Sequence, residues 1–248
     1  MANPVKTKVL VESVEKFGEG TYELSLKPSG RVPRFKAGQF LHLTVDEYDP
    51  AGGFWPESRV FSIASRNGAE SLKIVYSVKG RYTKLMAERL RPGLEVWAKL
   101  PYGDFTIDAR VKEGADVVLV AGGTGISPFI PYLEDLAEGA ATSRRVRLYY
   151  GIRDASQLLF KDTLARCVSS SALELRLWLE SDESEPAGLS DIKSKAGRLN
   201  VAAIHEECSE LAAPNFFLSG PPAMIASFKS GLLSRGLGID KIHIDEWE

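Results

Sequence analysis

The first part of the chain alternates apolar and polar positions over short stretches, which is the pattern of half-buried β-strands. These stretches are separated by turns that contain Pro and Gly, such as residues 28–30 and 91–93. Short strands spaced in this way predict a small barrel or sandwich. One helix is predicted over residues 83–90, with Thr83 as a possible cap. The predicted strands cover residues 6–14, 21–27, 39–45, 60–65, 71–78 and 95–100.

A different pattern begins after about residue 108. Residues 116–121 form a continuous apolar run, which is typical of a buried strand in a parallel sheet. Strands and helices then alternate, which predicts a doubly wound α/β sheet. We therefore expect an antiparallel β-barrel domain over residues 1–108 and an α/β parallel-sheet domain over residues 109–248, with a polar loop at 181–197. The further predicted strands are 147–150, 173–179, 215–218 and 241–244, and the predicted helices are 127–137, 156–167, 201–208 and 222–235.

Composition excludes several classes of function. The net charge of −2 lacks the basic excess of a nucleic-acid binder, so we expect no nucleic-acid partner. Two cysteines in 248 residues cannot form a disulfide framework or supply the four thiolates of a plant-type iron–sulfur cluster. The three histidines are scattered, so no metal site is expected. Cys167, Cys208, His42, His205 and His243 are therefore expected to serve packing or to lie on the surface.

Neither a signal peptide nor a membrane span is predicted. Charged residues at Lys6, Lys8 and Glu12 interrupt the N-terminal segment, and no stretch reaches the roughly 20 apolar residues of a membrane span. We expect a soluble, cytoplasmic protein without a membrane partner.

Ligands of an open parallel sheet bind outside the carboxyl ends of its strands, where the strand order reverses. Four predicted strands end in unusual segments, and two of these segments are glycine-rich turns that lead into helices. One such turn alone is a weak signal, whereas two at one edge of a sheet indicate a ligand site. The four segments are 122–125, 151–154, 180–183 and 219–222.

The turn at residues 122–125 has the chemistry of an anion site. Its glycines permit a sharp turn and a close approach of a ligand to the backbone. We expect Ser127 to cap the following helix and Pro128 to take its first position, which leaves N–H groups for a pyrophosphate. The run is not G-x-G-x-x-G, because Pro128 stands where the third glycine would fall. A tight turn that binds nothing is the alternative.

Two segments of the first domain carry candidate phosphate ligands. Arg59 begins a predicted strand and could hold a phosphate with two N–H groups, and Ser62 could hydrogen-bond a ring nitrogen. Residues 80–83 precede the short helix and could offer amides to the same phosphate. A surface arginine and a capped helix are the alternative.

Four motifs in suitable order and spacing resemble those of the ferredoxin–NADP reductase superfamily, over nearly the whole chain. R-x-[YF]-[ST] matches residues 59–62, and G-x-x-[ST] matches residues 80–83. G-G-T-G-[IV]-[ST]-P matches residues 122–128, and the usual C-G-P-x-x-M is S-G-P-P-A-M at 219–224. The resemblance implies a flavoprotein reductase, in which hydride passes from a nicotinamide to flavin N5 and electrons leave to an acceptor.

The resemblance also implies roles for single residues. Arg59 would pair with the flavin phosphates, Phe61 would pack against the flavin, and Ser62 would hydrogen-bond near N5. Ser62, Ser219 and Trp247 are the expected catalytic residues, with Trp247 as a cover of the flavin ring. The expected cofactor contacts are Arg59, Val60, Phe61, Ser62, Tyr76, Val78, Gly80, Arg81, Tyr82, Thr83, Gly123, Thr124, Gly125, Ser127, Pro128, Arg153, Gly220, Pro221, Met224 and Trp247.

Two residues depart from the usual motifs of the family. Phe61 replaces the commoner tyrosine and removes a hydroxyl group, which predicts a lower flavin affinity. Ser219 replaces the usual cysteine near the nicotinamide. Because serine is similarly small, we expect hydride transfer to survive at an altered rate.

The segment at residues 180–183 bears on the choice of nucleotide. A 2′-phosphate would need Arg or Lys there, but the segment is Glu-Ser-Asp-Glu, and Arg153 is the only nearby positive candidate. We therefore expect NADH rather than NADPH. The similarity of residues 61–65 to members that bind the dinucleotide favours FAD over FMN.

We expect a separate electron acceptor, such as a ferredoxin, a flavodoxin or an oxygenase component, because the chain lacks the cysteines of a fused ferredoxin domain. The basic residues Lys79, Arg81, Lys84, Arg89 and Arg91 could dock an acidic carrier, or they could form a solvated face only. The alternatives are a reductase of free flavin or small oxidants, an electron-transfer subunit of a larger complex, and a flavin sensor without turnover.

Overall fold

Six antiparallel strands form a nearly closed barrel in the first part of the chain. The computed structural model describes residues 3–139, 144–181 and 192–245. The barrel order is β4-β3-β6-β1-β2-β5. Its edges meet where the Ala64 amide donates to the Lys73 carbonyl at 2.8 Å. The strands are β1 (Val5–Phe17), β2 (Thr21–Pro28), β3 (Phe40–Thr44), β4 (Arg59–Ser62), β5 (Leu72–Ser77) and β6 (Glu95–Tyr102), and helix α1 (Arg81–Arg89) lies between β5 and β6 in the sequence.

The second part of the chain forms a parallel six-stranded sheet. Its order is β10-β9-β8-β7-β11-β12, with apolar clusters on both faces. One cluster includes Leu133 and Leu164, and the other includes Ile204 and Phe228. The doubly wound prediction is confirmed. The elements are β7 (Val117–Gly122), β8 (Val146–Ile152), β9 (Glu174–Leu179), β10 (Lys193–Ala196), β11 (Asn215–Ser219) and β12 (Ile242–Ile244), with α2 (Ile107–Arg110), α3 (Ile130–Ala137), α4 (Lys161–Ser169), α5 (Val201–Glu207) and α6 (Pro222–Leu233).

Apolar packing and ion pairs join the barrel to the parallel sheet. Ala64 and Val75 of the barrel belong to the same buried cluster as Phe129, which precedes α3. Arg66 forms ion pairs with Asp135, at 3.1 Å, and with Glu138. These contacts place the carboxyl end of β4 beside the turn that follows β7.

The structure corrects three details of the predicted elements. The segment predicted as a polar loop contains the edge strand β10, whose few residues carry no apolar pattern. The helix predicted over 156–167 is divided into a 3-10 turn, Ala155–Gln157, and α4, because Phe160 takes φ of +54° before α4 begins. Helix α2 was not predicted. The boundary at residue 108 falls within α2 and stays a prediction.

The described part of the chain shows neither a cluster of metal ligands nor a helix that could span a membrane. Within residues 3–139, 144–181 and 192–245, no group of three or more His, Cys, Asp or Glu residues could hold a metal ion. None of the helices in these ranges has the length and apolar character needed to cross a bilayer.

Asp116 joins three segments at the start of β7. Its carboxylate accepts hydrogen bonds from the amides of Arg145 and Ala212, both at 2.8 Å, and from the Arg145 guanidinium. Burial opposes ionisation, but these donors outweigh it and hold the pKa of Asp116 below its ordinary 3.8. The ionised carboxylate of Asp116 therefore stabilises the fold at pH values above the ordinary pKa of 3.8. This stabilisation is lost as the pH falls through the lowered pKa of Asp116.

We expect Asp116→Asn to reduce the free energy of unfolding at pH 7 by about 1–3 kcal/mol, because an amide cannot accept at both former oxygen positions. The difference from the wild type should shrink as the pH is lowered below the ordinary pKa of the carboxyl group. Urea unfolding at several pH values measures both effects. Asp104→Asn, which removes an exposed partner of Arg110, is the control and should change little. An equal loss of stability in both variants would contradict the assignment.

Candidate functional site

Two glycine-rich turns meet at the carboxyl ends of β7 and β11, where the strand order of the parallel sheet reverses. A Cβ atom on Gly125 would lie 2.3 Å from the Ser219 carbonyl oxygen. A Cβ atom on Gly220, whose φ is +147°, would lie 2.9 Å from the Gly122 nitrogen. Met224 packs against Gly122. The glycines at 122, 125 and 220 are therefore explained by packing within the protein.

The segment after β7 differs from its prediction. Residues Gly123–Phe129 form a 3-10 helix, and α3 begins only at Ile130. The Ser127 hydroxyl donates to the Thr124 carbonyl at 2.8 Å, so Ser127 does not cap α3, and Pro128 lies inside the 3-10 helix. The predicted cap and first helical position were wrong, because the chain makes a 3-10 turn first.

A small pocket of about 30 Å³ lies between the barrel and the parallel sheet. The barrel contributes β4 to its wall, and the sheet contributes the turn after β7. Predicted site residues from two separate motifs are thus brought together. The pocket is lined by Phe40, Val60, Phe61, Ser62, Val75, Thr124, Ser127 and Asp245.

A buried serine–carboxylate pair stands at this pocket. The Ser219 hydroxyl donates to Asp245 Oδ2 at 3.1 Å, and both residues are buried. The Asp245 amide donates to the Leu218 carbonyl at 3.0 Å, which fixes it beside the end of β11. The sequence motifs assigned no role to Asp245. Its position directly after the last strand of the sheet nevertheless indicates that it lies at the carboxyl end of the sheet, where ligands bind. Trp247 lies outside the described residues.

The two phosphate motifs of the barrel also converge. The Arg59 guanidinium lies 4.5 Å from the centre of the Tyr82 ring, which is buried. Arg59 Nη2 donates to Glu57 Oε1 at 2.8 Å, and Arg81 Nη2 donates to Glu57 Oε2 at 2.9 Å. The predicted pair of cations is thus assembled around a carboxylate that neither motif contains.

Helix α1 begins differently from its prediction. Its N-cap is Gly80, and the Thr83 hydroxyl oxygen accepts from the amides of Lys79 and Gly80 at 3.0 and 3.1 Å. Thr83 is therefore not the cap. Gly80 has extended backbone, and a Cβ atom there would meet nothing within 4 Å. Packing within the protein does not explain this glycine.

Tyr76 on β5 carries a polar atom that the protein leaves unsatisfied. Its ring stacks on Tyr22 with centroids 5.2 Å apart and lies 6.1 Å from the ring of Phe61. The hydroxyl group is buried without a hydrogen-bond partner among the described residues, and burial raises its pKa well above the ordinary value. It therefore stays protonated and able to donate. The amide of Val78, two residues further on, donates a hydrogen bond to the Gly20 carbonyl at 2.8 Å.

Comparisons with known proteins show what this chain is similar to. The family profile of the oxidoreductase NAD-binding domain matches residues 119–230. The chain is 27% identical over 252 aligned positions to the reductase component of propane 2-monooxygenase from Mycolicibacterium goodii, covering 98% of this chain and 67% of that protein. It is 29% identical over 220 positions to the NAD(P)H-flavin reductase of Vibrio harveyi, covering 85% of this chain and 84% of that protein. The chain is therefore similar to oxidoreductases with an NAD-binding domain over residues 119–230, and to proteins named as reductases over most of its length.

A solved reductase structure shares the fold of this chain. The ferredoxin NADP+ reductase of Neisseria gonorrhoeae with bound FAD and NADP superposes with a TM-score of 0.75 over 99% of both chains, at 20% identity. The chain spans 57 to 67% of the length of three propane 2-monooxygenase reductase components that it matches.

One prediction for the nucleotide site needs correction. Arg153 is exposed, and its carbonyl accepts from the Ser181 amide and hydroxyl, both at 2.9 Å. It is not the only positive residue nearby, because Arg198 pairs with Glu180 at 3.0 Å. Pro221, exposed at the start of α6, borders the same edge of the sheet. Asp182 and Glu183 lie outside the described residues.

We expect Gly125→Ala to lower the free energy of unfolding by about 2 kcal/mol or more, because its Cβ would overlap the backbone of the second turn. Thermal or urea unfolding measures the loss. Gly30→Ala is the matched control, since Gly30 is exposed, its Cβ would have open space and its φ is not in the left-handed region, and its stability should stay within about 0.5 kcal/mol of the wild type. Equal destabilisation of the two variants would contradict the packing described for Gly125.

Proposed function

We propose that this protein is a flavoprotein oxidoreductase that transfers hydride from NAD(P)H to bound FAD and passes electrons to a separate protein acceptor. The observation that carries the proposal is one pocket lined by Ser62 of the barrel, by Thr124 of the turn after β7 and by Asp245. A flavin held by the barrel would there meet a nucleotide held by the parallel sheet. The sequence relatives with reductase names support the same function.

The residues present fit a phosphate-bearing aromatic cofactor. Arg59 and Arg81 supply two guanidinium groups within reach of one anion, and the missing side chain of Gly80 leaves space beside the start of α1. The unsatisfied hydroxyl group of Tyr76 has a hydrogen bond to offer close to Phe61. A bound flavin would supply the redox chemistry, since it accepts hydride and returns electrons to an acceptor.

The chain's own groups would orient the reactants and manage protons in the pocket. Ser62 lies in the wall formed by β4, and its hydroxyl is the group we assign to hydrogen bonding at the flavin. The Ser219 hydroxyl holds its proton toward the Asp245 carboxylate, in a buried setting that excludes bulk water. Because hydride transfer depends on close approach of two rings, positioning by these residues is their main contribution.

We propose NADH as the preferred nucleotide. Glu180 follows β9 and supplies a carboxylate that can accept from a ribose hydroxyl. Arg198 is largely exposed but already paired with this carboxylate, which lowers the positive charge available for a 2′-phosphate. The Glu180 carboxylate favours a ribose 2′-hydroxyl group over a 2′-phosphate, which distinguishes NADH from NADPH. A comparison of the two nucleotides therefore tests this proposal directly.

We propose an oxygenase component, a ferredoxin or a flavodoxin as the electron acceptor. Relatives named as reductase components of propane 2-monooxygenase and phenol 2-monooxygenase support this class. Lys79, Arg81, Lys84, Arg89 and Arg91 are all exposed around α1 and would steer an acidic carrier. Reduction of free flavin is the second candidate, because the Vibrio harveyi relative is named an NAD(P)H-flavin reductase.

The first test is reduction of the flavin-loaded protein without oxygen. We expect FAD to remain bound after purification or reconstitution, and NADH to bleach its visible absorbance faster than NADPH. Stopped-flow absorbance near the flavin maximum measures both rates. Bound flavin that stays oxidised with both nucleotides would contradict the proposed function, and faster bleaching by NADPH would contradict the nucleotide preference.

We expect Ser62→Ala to slow flavin reduction by about tenfold, which corresponds to the loss of one hydrogen bond of about 1–1.5 kcal/mol. Flavin affinity should change less than the rate, because the phosphate contacts remain. Rapid-mixing reduction and flavin titration measure the two quantities. Ser230→Ala on the exposed side of α6 is the control. An unchanged rate in Ser62→Ala would remove Ser62 from the catalytic residues.

A further inference from the structure

Glu57 lies just before β4, outside both phosphate motifs, yet it contacts the arginine of each. Its Oε1 accepts from Arg59 Nη2 at 2.8 Å and its Oε2 accepts from Arg81 Nη2 at 2.9 Å. Both carboxylate oxygens are therefore used, one on each cation. The two arginines come from different parts of the barrel, so this arrangement exists only in the folded chain.

The backbone of Glu57 is held in place by a buried group. The Tyr82 hydroxyl donates to the Glu57 carbonyl at 2.8 Å and accepts from the Val45 amide at 3.1 Å. The same tyrosine ring lies under the Arg59 guanidinium. The Glu57 side chain, in contrast, is 41% exposed, so its carboxylate can move away while its backbone stays fixed.

The contacts of Glu57 are those that a phosphate would make. Carboxylates and phosphates bind guanidinium groups through the same N–H donors. With Glu57 in place, the two cations and the carboxylate sum to a net charge of +1, rather than +2. A diphosphate would therefore meet a lower positive charge and would compete with the carboxylate for the N–H groups that the carboxylate occupies.

We propose that Glu57 is an internal competitor for the flavin phosphates, so that it raises the Kd for a phosphate-bearing flavin. The inference rests on the proposed function, because it takes Arg59 and Arg81 as the flavin phosphate ligands. A role in stability is a poor alternative, since exposed ion pairs contribute little to folding.

The test is a titration of flavin-stripped wild type and Glu57→Gln with FAD, FMN and riboflavin, followed by flavin fluorescence. We expect the Kd for FAD to fall by about five- to tenfold in Glu57→Gln, with a smaller fall for FMN. The Kd for riboflavin, which has no phosphate, should not change. The gain for FAD should shrink at high salt, because the interactions are screened.

Asp46→Asn is the matched control, because Asp46 pairs with Arg89 at 3.1 Å on an exposed part of the same barrel. It removes a surface carboxylate of similar kind and should leave the Kd for FAD unchanged. An equal gain in both variants would show a general effect of net charge and would overturn the role of Glu57.

Two further outcomes would overturn the proposal in different ways. If the wild type binds FAD and Glu57→Gln binds it equally or more weakly, the competitor role fails while the flavin site stands. If neither protein binds FAD or FMN, the flavin site fails, and the proposed function fails with it.

Discussion

Where β7 and β11 end, two turns approach so closely that neither has room for a side chain at the contact. A methyl group on Gly125 would meet only the backbone of the opposite turn, and one on Gly220 would meet the Gly122 backbone as well as the Met224 side chain. This contact fixes where Ser219 stands, and the hydrogen bond from Ser219 then places Asp245 at the pocket. The site depends on a steric constraint between backbones, and its polar groups are arranged on that frame.

The pocket also requires the barrel to stay beside the parallel sheet. Ala64 and Val75 share a buried cluster with residues of the sheet, and Arg66 adds ion pairs to α3. The Arg66 amide donates to a Glu134 carboxylate oxygen at 3.1 Å, and burial raises the pKa of Glu134. Apolar contact and charged contact thus lie side by side at this junction. Because α3 follows the turn after β7, any shift of this junction would move Thr124 relative to Ser62.

Acidic residues shape both halves of the site. Asp245 stands with Ser219 where the reacting rings are proposed to meet, and Glu57 stands between the two arginines assigned to phosphate. The sequence motifs contain the arginines and glycines of the site, because those residues occur at fixed spacing. The two acidic residues lie outside the motifs, and their negative charges lower the positive charge that a ligand would meet.

The sequence by itself determined the two-part fold and most of its elements. Strand β7 is apolar throughout and β11 has three apolar residues at its centre, because both faces of a parallel sheet are buried, and this pattern is local. Glycine motifs likewise placed the turns at the carboxyl ends of these strands. Edge strand β10 and the 3-10 turn after β7 were missed, because an exposed edge and a turn type leave little apolar signal. Tertiary structure alone decided the contacts of Glu57 with Arg81 and of Ser219 with Asp245, 24 and 26 positions apart. Such pairs form because the chain topology brings separate segments together. A local sequence pattern does not indicate which distant residues will come into contact.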